Sequence, residues 1–134
     1  REGWRDIRLE QLLRAQIELY AGQRLTLHGP PIDIGAALVQ PLALVLHEMV
    51  ANASRHGALS AMNGELALGW SQTTAGGLEL TWTETGGPPV SPPTRRGFGS
   101  RLIERGLASE LAGEAHIAFQ PDGVVCRIEA GLDG

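Results

Sequence analysis

The sequence predicts an α+β fold in which helices cover one face of a mixed, mostly antiparallel sheet. Two segments in the N-terminal half carry apolar residues at helical spacing. Further on, two pairs of segments alternate apolar and polar residues around short turns that contain glycine, which is typical of β-hairpins. The resulting order, α-β-α-β-β-loop-α-β-β, predicts a two-layer sandwich with about three helices on one face of the sheet.

The first elements are an amphipathic helix and a short strand. Residues 8–20 place four apolar side chains at helical spacing: Leu9, Leu12, Leu13 and Ile17. Residues 24–28 alternate and are predicted as a strand. The sequence Gly29-Pro30-Pro31 that follows predicts a loop.

A second helix is predicted over residues 35–56. Its apolar face consists of Leu42, Val45, Met49 and Ala53. Pro41 is unexpected inside it, because proline lacks a backbone donor and is tolerated only in the first turn. We therefore expect the helix proper to begin near Gln40, after a separate turn. Gly57 is expected to end the helix, as glycine commonly does.

Two hairpins and a third helix complete the predicted fold. In chain order the elements are strands over residues 65–71 and 78–83, a proline-rich loop over 85–96, a helix over 99–112, and strands over 115–119 and 124–129. The short turns between paired strands favour antiparallel pairing.

The composition predicts one globular domain that comprises residues 1–134. Hydrophobic residues make up 43% of the chain and charged residues 19%, and the net charge of −4 argues against a nucleic-acid partner. We see no signal peptide and no apolar run near the ~18 residues of a membrane helix. We therefore expect a cytoplasmic protein without direct membrane contact. Because the chain begins with Arg1, we expect it to be part of a longer protein.

The absence of lysine excludes several kinds of site. All eleven basic residues are arginine. A P-loop, a protein kinase of the Ser/Thr/Tyr type and a Schiff-base enzyme each need a lysine. Any bound phosphate must therefore be held by backbone N–H groups, arginine and metal. The single cysteine, Cys126, lies in an apolar run and is predicted to be a buried structural thiol.

Polar residues recur along one side of the second helix. Glu48 and Asn52 lie one turn apart, and either Arg55 or His56 continues that side. A carboxylate and a carboxamide so placed can hold a hydrated divalent cation with a water or hydroxyl beside it. For Glu48 and Asn52 the alternative is an ordinary solvated helix face. For the adjacent His47 the alternative is a histidine packed in the core.

A second candidate feature is the end of the strand over residues 78–83. Period-two alternation places Glu84 on the same sheet face as Trp82. A carboxylate at the end of a buried face accepts specific hydrogen bonds, for example from the exocyclic amine of a base. The alternatives are that it caps the strand or pairs with an arginine. Gly86 and Gly87 would let a flat ring approach the backbone.

The third candidate feature is a glycine-rich turn at the start of the predicted third helix. In Gly97-Phe98-Gly99-Ser100, free backbone N–H groups and the helix dipole face one spot, which favours an anion. Arg95, Arg96 and Arg101 lie beside it. Glycine turns before helices are also common where no phosphate binds.

In this combination and order, the three features resemble the ATP-binding catalytic domain of a sensor histidine kinase, which belongs to the GHKL superfamily. The motifs that match are the N box (Glu48-x-x-x-Asn52), the first glycine box (Glu84-x-Gly86, with Glu in place of the usual Asp) and the second glycine box (Gly97-x-Gly99). The resemblance covers nearly the whole chain and implies the two-layer GHKL, or Bergerat, sandwich.

Among histidine kinases the chain is most similar to the HWE subfamily. That subfamily is named for a histidine in the N box and a Trp-x-Glu in the first glycine box, found here as His47 and Trp82-Thr83-Glu84. Residues 52–60 and 96–103 are also similar to the subfamily.

The resemblance implies ATP and Mg²⁺ as ligands. Asn52 would ligate the Mg²⁺, while Glu48, next to His47, would orient or deprotonate the nucleophile. Glu84 would accept a hydrogen bond from the adenine amino group, and residues 85–96 would form the ATP lid. The remaining nucleotide contacts would come from Arg55, His56, Gly86, Gly87, Arg95, Arg96, Gly97, Phe98, Gly99, Ser100, Arg101 and Leu102.

The resemblance also implies partners. The phosphoryl acceptor would be a histidine on separate dimerisation helices of the same protein, and a response regulator would follow indirectly. None of the four histidines lies on a predicted helical hairpin, so we expect this chain to bind ATP without phosphorylating itself. The alternatives are a GHKL serine kinase of the anti-sigma-factor type and a degenerate module that binds a nucleotide or a protein.

Overall fold

The computed structural model describes residues 6–88 and 113–131. These form β1 (Ile7–Arg8), α1 (Leu9–Ala21), β2 (Leu25–His28), β3 (Asp33–Ile34), α2 (Ala36–Arg55), β4 (Glu65–Gln72), β5 (Leu78–Thr85), β6 (Glu114–Gln120) and β7 (Gly123–Ala130). Single 3₁₀ turns follow α1 and α2, at Gly22–Arg24 and Ala58–Ser60. The predicted third helix, residues 99–112, lies outside the described residues.

The main sheet has five strands in the order β2-β4-β5-β7-β6. The pair β2–β4 is parallel, and the other three pairs are antiparallel. The prediction of a mixed, mostly antiparallel sheet is therefore confirmed, as are both hairpins. The register places Leu66 of β4 opposite Glu84 near the end of β5.

The core lies between one face of this sheet and the two described helices. Strands β4, β5 and β7 each bury alternate side chains, and these pack with the apolar sides of α1 and α2. Leu13, Leu46 and Leu80 are fully buried at its centre, and Cys126 is buried as expected. This arrangement confirms the predicted α+β class and leaves the polar side of α2 at the edge of the core.

A short second sheet was not predicted. Strands β1 and β3 pair antiparallel, and the Arg8 Nε donates to Asp33 Oδ1 at 2.7 Å. The sequence pattern predicts a helix that includes Arg8 and assigns no element to Asp33, because a two-residue strand is too short to show alternation. The pair forms through contacts between segments that are distant along the chain.

The expectation that α2 begins near Gln40 is wrong. The helix starts at Ala36, and the Gly35 carbonyl accepts from the N–H groups of Leu38 and Val39 at 3.0 and 3.3 Å. Pro41 therefore lies inside the helix and removes the bond that would reach the Ala37 carbonyl. Because Ala37 is exposed, its carbonyl can accept a hydrogen bond from water instead.

The expectation about apolar runs concerns α2, in which Gln40, Pro41, His47 and Glu48 interrupt the apolar residues. By length and composition alone α2 could cross a membrane, with 20 residues and a mean hydropathy of 1.3. Core helices of globular proteins meet the same criterion, and seven side chains of α2 are buried in the core of this fold. Packing against α1 and the sheet thus explains the apolar character of α2.

Candidate functional site

The polar side of α2 lies in the C-terminal half of the helix. Glu48 and Asn52 are both half-buried, which places them between the core and solvent. His47 is exposed, so the alternative of a core histidine is wrong. His56 and Arg55 are exposed at the helix end, and the Arg55 Nε donates to the Ala51 carbonyl at 3.4 Å.

This side of α2 offers oxygen ligands for a cation but not a complete protein site. Carboxylate and carboxamide oxygens are the donors that Mg²⁺ prefers, and Mg²⁺ usually takes only one or two of them from protein. Within residues 6–88 and 113–131, no group of three or more His, Cys, Asp or Glu residues could hold a metal. The donor set therefore fits a cation that takes some of its ligands from the protein and the others from phosphate oxygens.

Glu84 is the one buried charged side chain in the part of the chain that the structure describes, with 3% of its surface exposed. Alternation along β5 places it inward, in line with Leu78, Leu80 and Trp82. Oε1 accepts from the Ala58 backbone N–H at 3.0 Å, and Oε2 accepts from the Trp82 indole Nε1–H at 2.8 Å. Among the described residues, its partners are therefore a backbone amide of another element and an indole, and not an arginine.

Burial raises the pKa of Glu84 because desolvation disfavours the carboxylate. The N–H donors of Ala58 and Trp82 act in the opposite direction and lower the pKa, but burial is the larger effect. A carboxylate has about four acceptor positions, and these two donors use two of them. Glu84 therefore keeps acceptor capacity for a ligand that brings its own N–H group.

The loop after α2 is built around this carboxylate. Gly57 ends α2 as expected, but with φ −105°, so the left-handed freedom of glycine is not used. Its N–H donates to the Asn52 and Ala53 carbonyls at 3.2 and 3.1 Å. A Cβ on Gly57 would overlap Glu84 Oε1, and it would lie 3.1 Å from the Ala53 Cα. Glycine is required here because a carboxylate occupies the space of a side chain.

Further contacts hold the same loop in place. The half-buried Arg24 donates to the carbonyls of Ala61 and Leu59 at 2.6 and 3.4 Å. Ser60 Oγ donates to the Gly57 carbonyl at 2.6 Å. These hydrogen bonds hold the residues on both sides of Ala58 in place. The Ala58 N–H that donates to Glu84 therefore lies in a turn of fixed conformation.

We expect Gly57→Ala to lower the free energy of unfolding by about 2 kcal/mol, because the new methyl group meets a buried carboxylate and fixed backbone. Urea denaturation measures this. Gly69→Ala is the matched control, since its methyl would meet only the His28 carbonyl at 3.6 Å, and we expect a change within about 0.5 kcal/mol. Equal effects of the two variants would contradict the close approach.

The two glycines after β5 pack against the loops around them. Gly86 has φ +76°, which favours glycine, and a Cβ there would lie 2.6 Å from the Asn63 carbonyl oxygen. A Cβ on Gly87 would lie 2.6 Å from the Ala58 Cα. Both glycines therefore allow the chain to leave β5 directly beside the loop that follows α2.

The rest of the predicted site lies outside the described residues. This applies to the lid from residue 89 onward and to the second glycine box, with the predicted contacts Arg95, Arg96, Gly97, Phe98, Gly99, Ser100, Arg101 and Leu102. Their roles stay predictions.

Three contributors to the site were missed by sequence reasoning. The indole of Trp82 and the N–H of Ala58 bind Glu84, and Arg24 braces the loop that carries Ala58. The spacing of Trp82, two residues before Glu84 on one strand face, is a signal from which its contact could be inferred. A backbone donor and a distant arginine leave no such signal.

The fold is that of a histidine kinase catalytic domain of the GHKL type. The chain is similar in structure to the histidine kinase domain of a blue-light-activated histidine kinase from Erythrobacter litoralis, with a TM-score of 0.70, 20% identity, and coverage of 92% of this chain and 59% of that one. It is also similar to the nucleotide-free catalytic domain of the histidine kinase ThkA, with a TM-score of 0.72, 17% identity, and coverage of 96% and 95%. At such identities the likeness shows the fold.

Sequence similarity shows the family. The chain is 38% identical over 128 residues to a blue-light-activated histidine kinase of Rhizobium johnstonii. The aligned residues cover 95% of this chain and 37% of the relative. It is 35% identical to the protein of that name from Brucella anthropi, over 98% of this chain and 28% of the relative. No protein-family model matches. The chain belongs to the histidine kinases and spans about a third of the length of these relatives.

Proposed function

We propose that the chain binds ATP with Mg²⁺ and transfers the γ-phosphate to a histidine on a separate dimerisation domain, in cytoplasmic two-component signalling. The observation that carries this proposal is the buried Glu84 carboxylate, which is held by two N–H donors and has acceptor capacity left over. A buried carboxylate with free lone pairs suits the exocyclic amine of adenine, because that amine can satisfy it without adding a charge.

The polar side of α2 supplies the phosphate end of this proposal. Asn52 would ligate Mg²⁺, which neutralises charge on the phosphates when it is bound. Glu48, one turn earlier on the helix, would orient the attacking imidazole and accept its proton. His47 precedes Glu48 and is exposed, which suits a contact with the incoming acceptor domain. Its presence and that of Trp82-Thr83-Glu84 support membership of the HWE subfamily.

The phosphate contacts would be completed by the second glycine box and its arginines. Gly97, Gly99 and Ser100 would donate backbone N–H groups to the β- and γ-phosphates, as the sequence pattern predicts. Phosphoryl transfer depends mainly on positioning and charge stabilisation, so these groups, together with Asn52 and Glu48, would be chemically sufficient on the nucleotide side.

The acceptor and the response regulator are part of the proposal. One structure of similar fold is the histidine kinase ThkA in complex with the response regulator TrrA, with a TM-score of 0.69 and 16% identity. That complex supports a response regulator as a partner of this chain's protein. We propose that a histidine on the dimerisation helices accepts the phosphoryl group first and that a response regulator receives it afterwards.

A phosphotransfer assay tests the proposal. The chain is incubated with γ-labelled ATP, Mg²⁺ and a separately purified dimerisation domain from a related histidine kinase, and the same domain with its acceptor histidine replaced is the control. We expect acid-labile label on the intact acceptor and none on the control or on the chain itself. Acid-stable label would instead indicate a serine kinase. Calorimetry that detected no ATP binding would remove the kinase proposal and leave a protein-binding module.

A further inference from the structure

Trp82 contacts Glu84 in a way that its size alone does not require. The two residues share the inward face of β5, and Trp82 is 1% exposed. Its indole Nε1–H points along the strand and donates to Glu84 Oε2 at 2.8 Å. A phenylalanine would fill most of the same volume, so the nitrogen provides a hydrogen bond that an apolar ring of this kind cannot.

The second oxygen of Glu84 is held from another element. The Ala58 N–H lies in the turn after α2 and donates to Oε1 at 3.0 Å. One donor on each oxygen fixes the rotation of the carboxylate plane, since turning the plane would break both bonds. The remaining lone pairs then point in a set direction.

We propose that Trp82 is a positioning residue that holds the Glu84 carboxylate in the orientation that recognises an exocyclic amine on a purine. The inference rests on the proposed function and deepens it, because it assigns the base selectivity of the site to a pair of residues. Trp82 touches the base reader and not the reacting phosphate, so its loss should alter discrimination between bases more than turnover with bound ATP.

The low polarity around Glu84 makes such a donor effective. A buried carboxylate that lost a hydrogen-bond donor would carry an uncompensated part of its charge, and it would be free to rotate. The indole also opposes the effect of burial on the pKa of Glu84, which favours the ionised, accepting form.

Trp82→Phe tests the inference, with Trp70→Phe as a matched control. Trp70 is 6% exposed on β4 of the same sheet, and its indole Nε1–H donates to the Pro30 carbonyl at 2.7 Å. Each variant therefore loses one indole donor from a buried ring. The probes are ATP and purine riboside triphosphate, which lacks the exocyclic amine, and the readout is the ratio of their dissociation constants.

We expect Trp82→Phe to reduce the preference for ATP over the analogue by about tenfold, which corresponds to a hydrogen bond to a charged group. Trp70→Phe should leave the wild-type ratio unchanged. Equal weakening of both nucleotides by Trp82→Phe would show a merely structural role and overturn the inference, while the proposed ATP binding would stand. A wild-type chain that bound neither nucleotide would overturn both.

A second measurement does not depend on the nucleotide or on the folding of the Trp82→Phe variant. The chain has three tryptophans, so its indole N–H signals in a nitrogen–proton correlation spectrum can be assigned individually. We expect Glu84→Gln to shift the Trp82 indole signal and to leave the Trp70 signal in place. An unmoved Trp82 signal would show that the hydrogen bond is absent in solution and would overturn the inference.

Discussion

The Asn52→Ala variant should lose Mg²⁺-dependent ATP binding, with an affinity at least about a hundredfold below that of the wild-type chain. Asn52 is half-buried on α2, one turn after Glu48, and it is the carboxamide on that side of the helix. In the proposed site the cation takes few ligands from the protein, so the loss of one of them removes much of its hold. Titration calorimetry with ATP, in the presence and absence of Mg²⁺, measures the effect.

Asn63→Ala is a matched control for this prediction. Asn63 is the other asparagine of the chain, and it lies exposed in the loop before β4. The same substitution there should leave Mg²⁺-dependent binding within about twofold of wild type, as expected for a surface change. If Asn52→Ala bound Mg-ATP as tightly as Asn63→Ala does, the metal site would be misassigned.

The second large effect is expected for Glu84→Gln, which should weaken ATP binding by about tenfold or more and affect GTP much less. A carboxamide has a single acceptor oxygen, whereas Glu84 accepts from Ala58, from Trp82 and, as proposed, from the adenine amine. One of the three donors would then face an NH₂ group. Competition between ATP and GTP for a fluorescent nucleotide measures the two affinities.

The control for Glu84→Gln comes from the same strand. Glu79 lies on the opposite face of β5, where it pairs in register with Glu129 of β7. Glu79→Gln removes an equal charge and should leave both affinities unchanged. Equal losses of ATP and GTP affinity in Glu84→Gln would contradict the base-reading role of this carboxylate.

The stability of the wild-type chain should depend on pH through Glu84. Burial raises the pKa of this carboxyl above its ordinary value of 4.5, so the folded state holds the proton more tightly than the unfolded state does. The free energy of unfolding must then fall as the pH rises from 4.5 through the folded-state pKa. Denaturation of the wild-type chain and of Glu84→Gln is measured from about pH 4 to about pH 7. The wild-type chain should lose stability relative to the variant as the pH rises. A constant difference between them would show that the pKa is not raised.

Local patterns were sufficient for the regular elements of the fold. Alternation predicted the strands that became β4, β5, β6 and β7, because one face of an antiparallel sheet must be apolar. Helical spacing of apolar residues predicted α1 and α2, because one side of each helix packs against the core. The start of α2 was predicted wrongly because the prediction considered only the hydrogen bond that Pro41 removes from the helix. In the fold, the Ala37 carbonyl that loses this bond is exposed to water, and the helix is stabilised by its packing in the core.

The placement of Glu48, Asn52 and Glu84 on their elements was predictable to the same extent. The spacing of Glu48 and Asn52, and the position of Glu84 at the end of a buried face, are properties of one helix and one strand. The contact of Gly57 with Glu84 joins residues 26 or more positions apart, as does the Ala58 N–H bond. Gly57 was expected as a helix end for its conformational freedom, whereas the space it leaves for a carboxylate is what requires it.

By itself, the sequence determined which residue types were available, which face of each element was apolar, and which family the chain belongs to. The tertiary structure alone decided how Oε1 of Glu84 is held, because its donor, the Ala58 N–H, comes from the turn after α2. It also decided that Arg24 braces that turn. The physical reason is that a buried carboxylate must find donors wherever the packed chain presents them, and periodicity along one segment carries no information about the others.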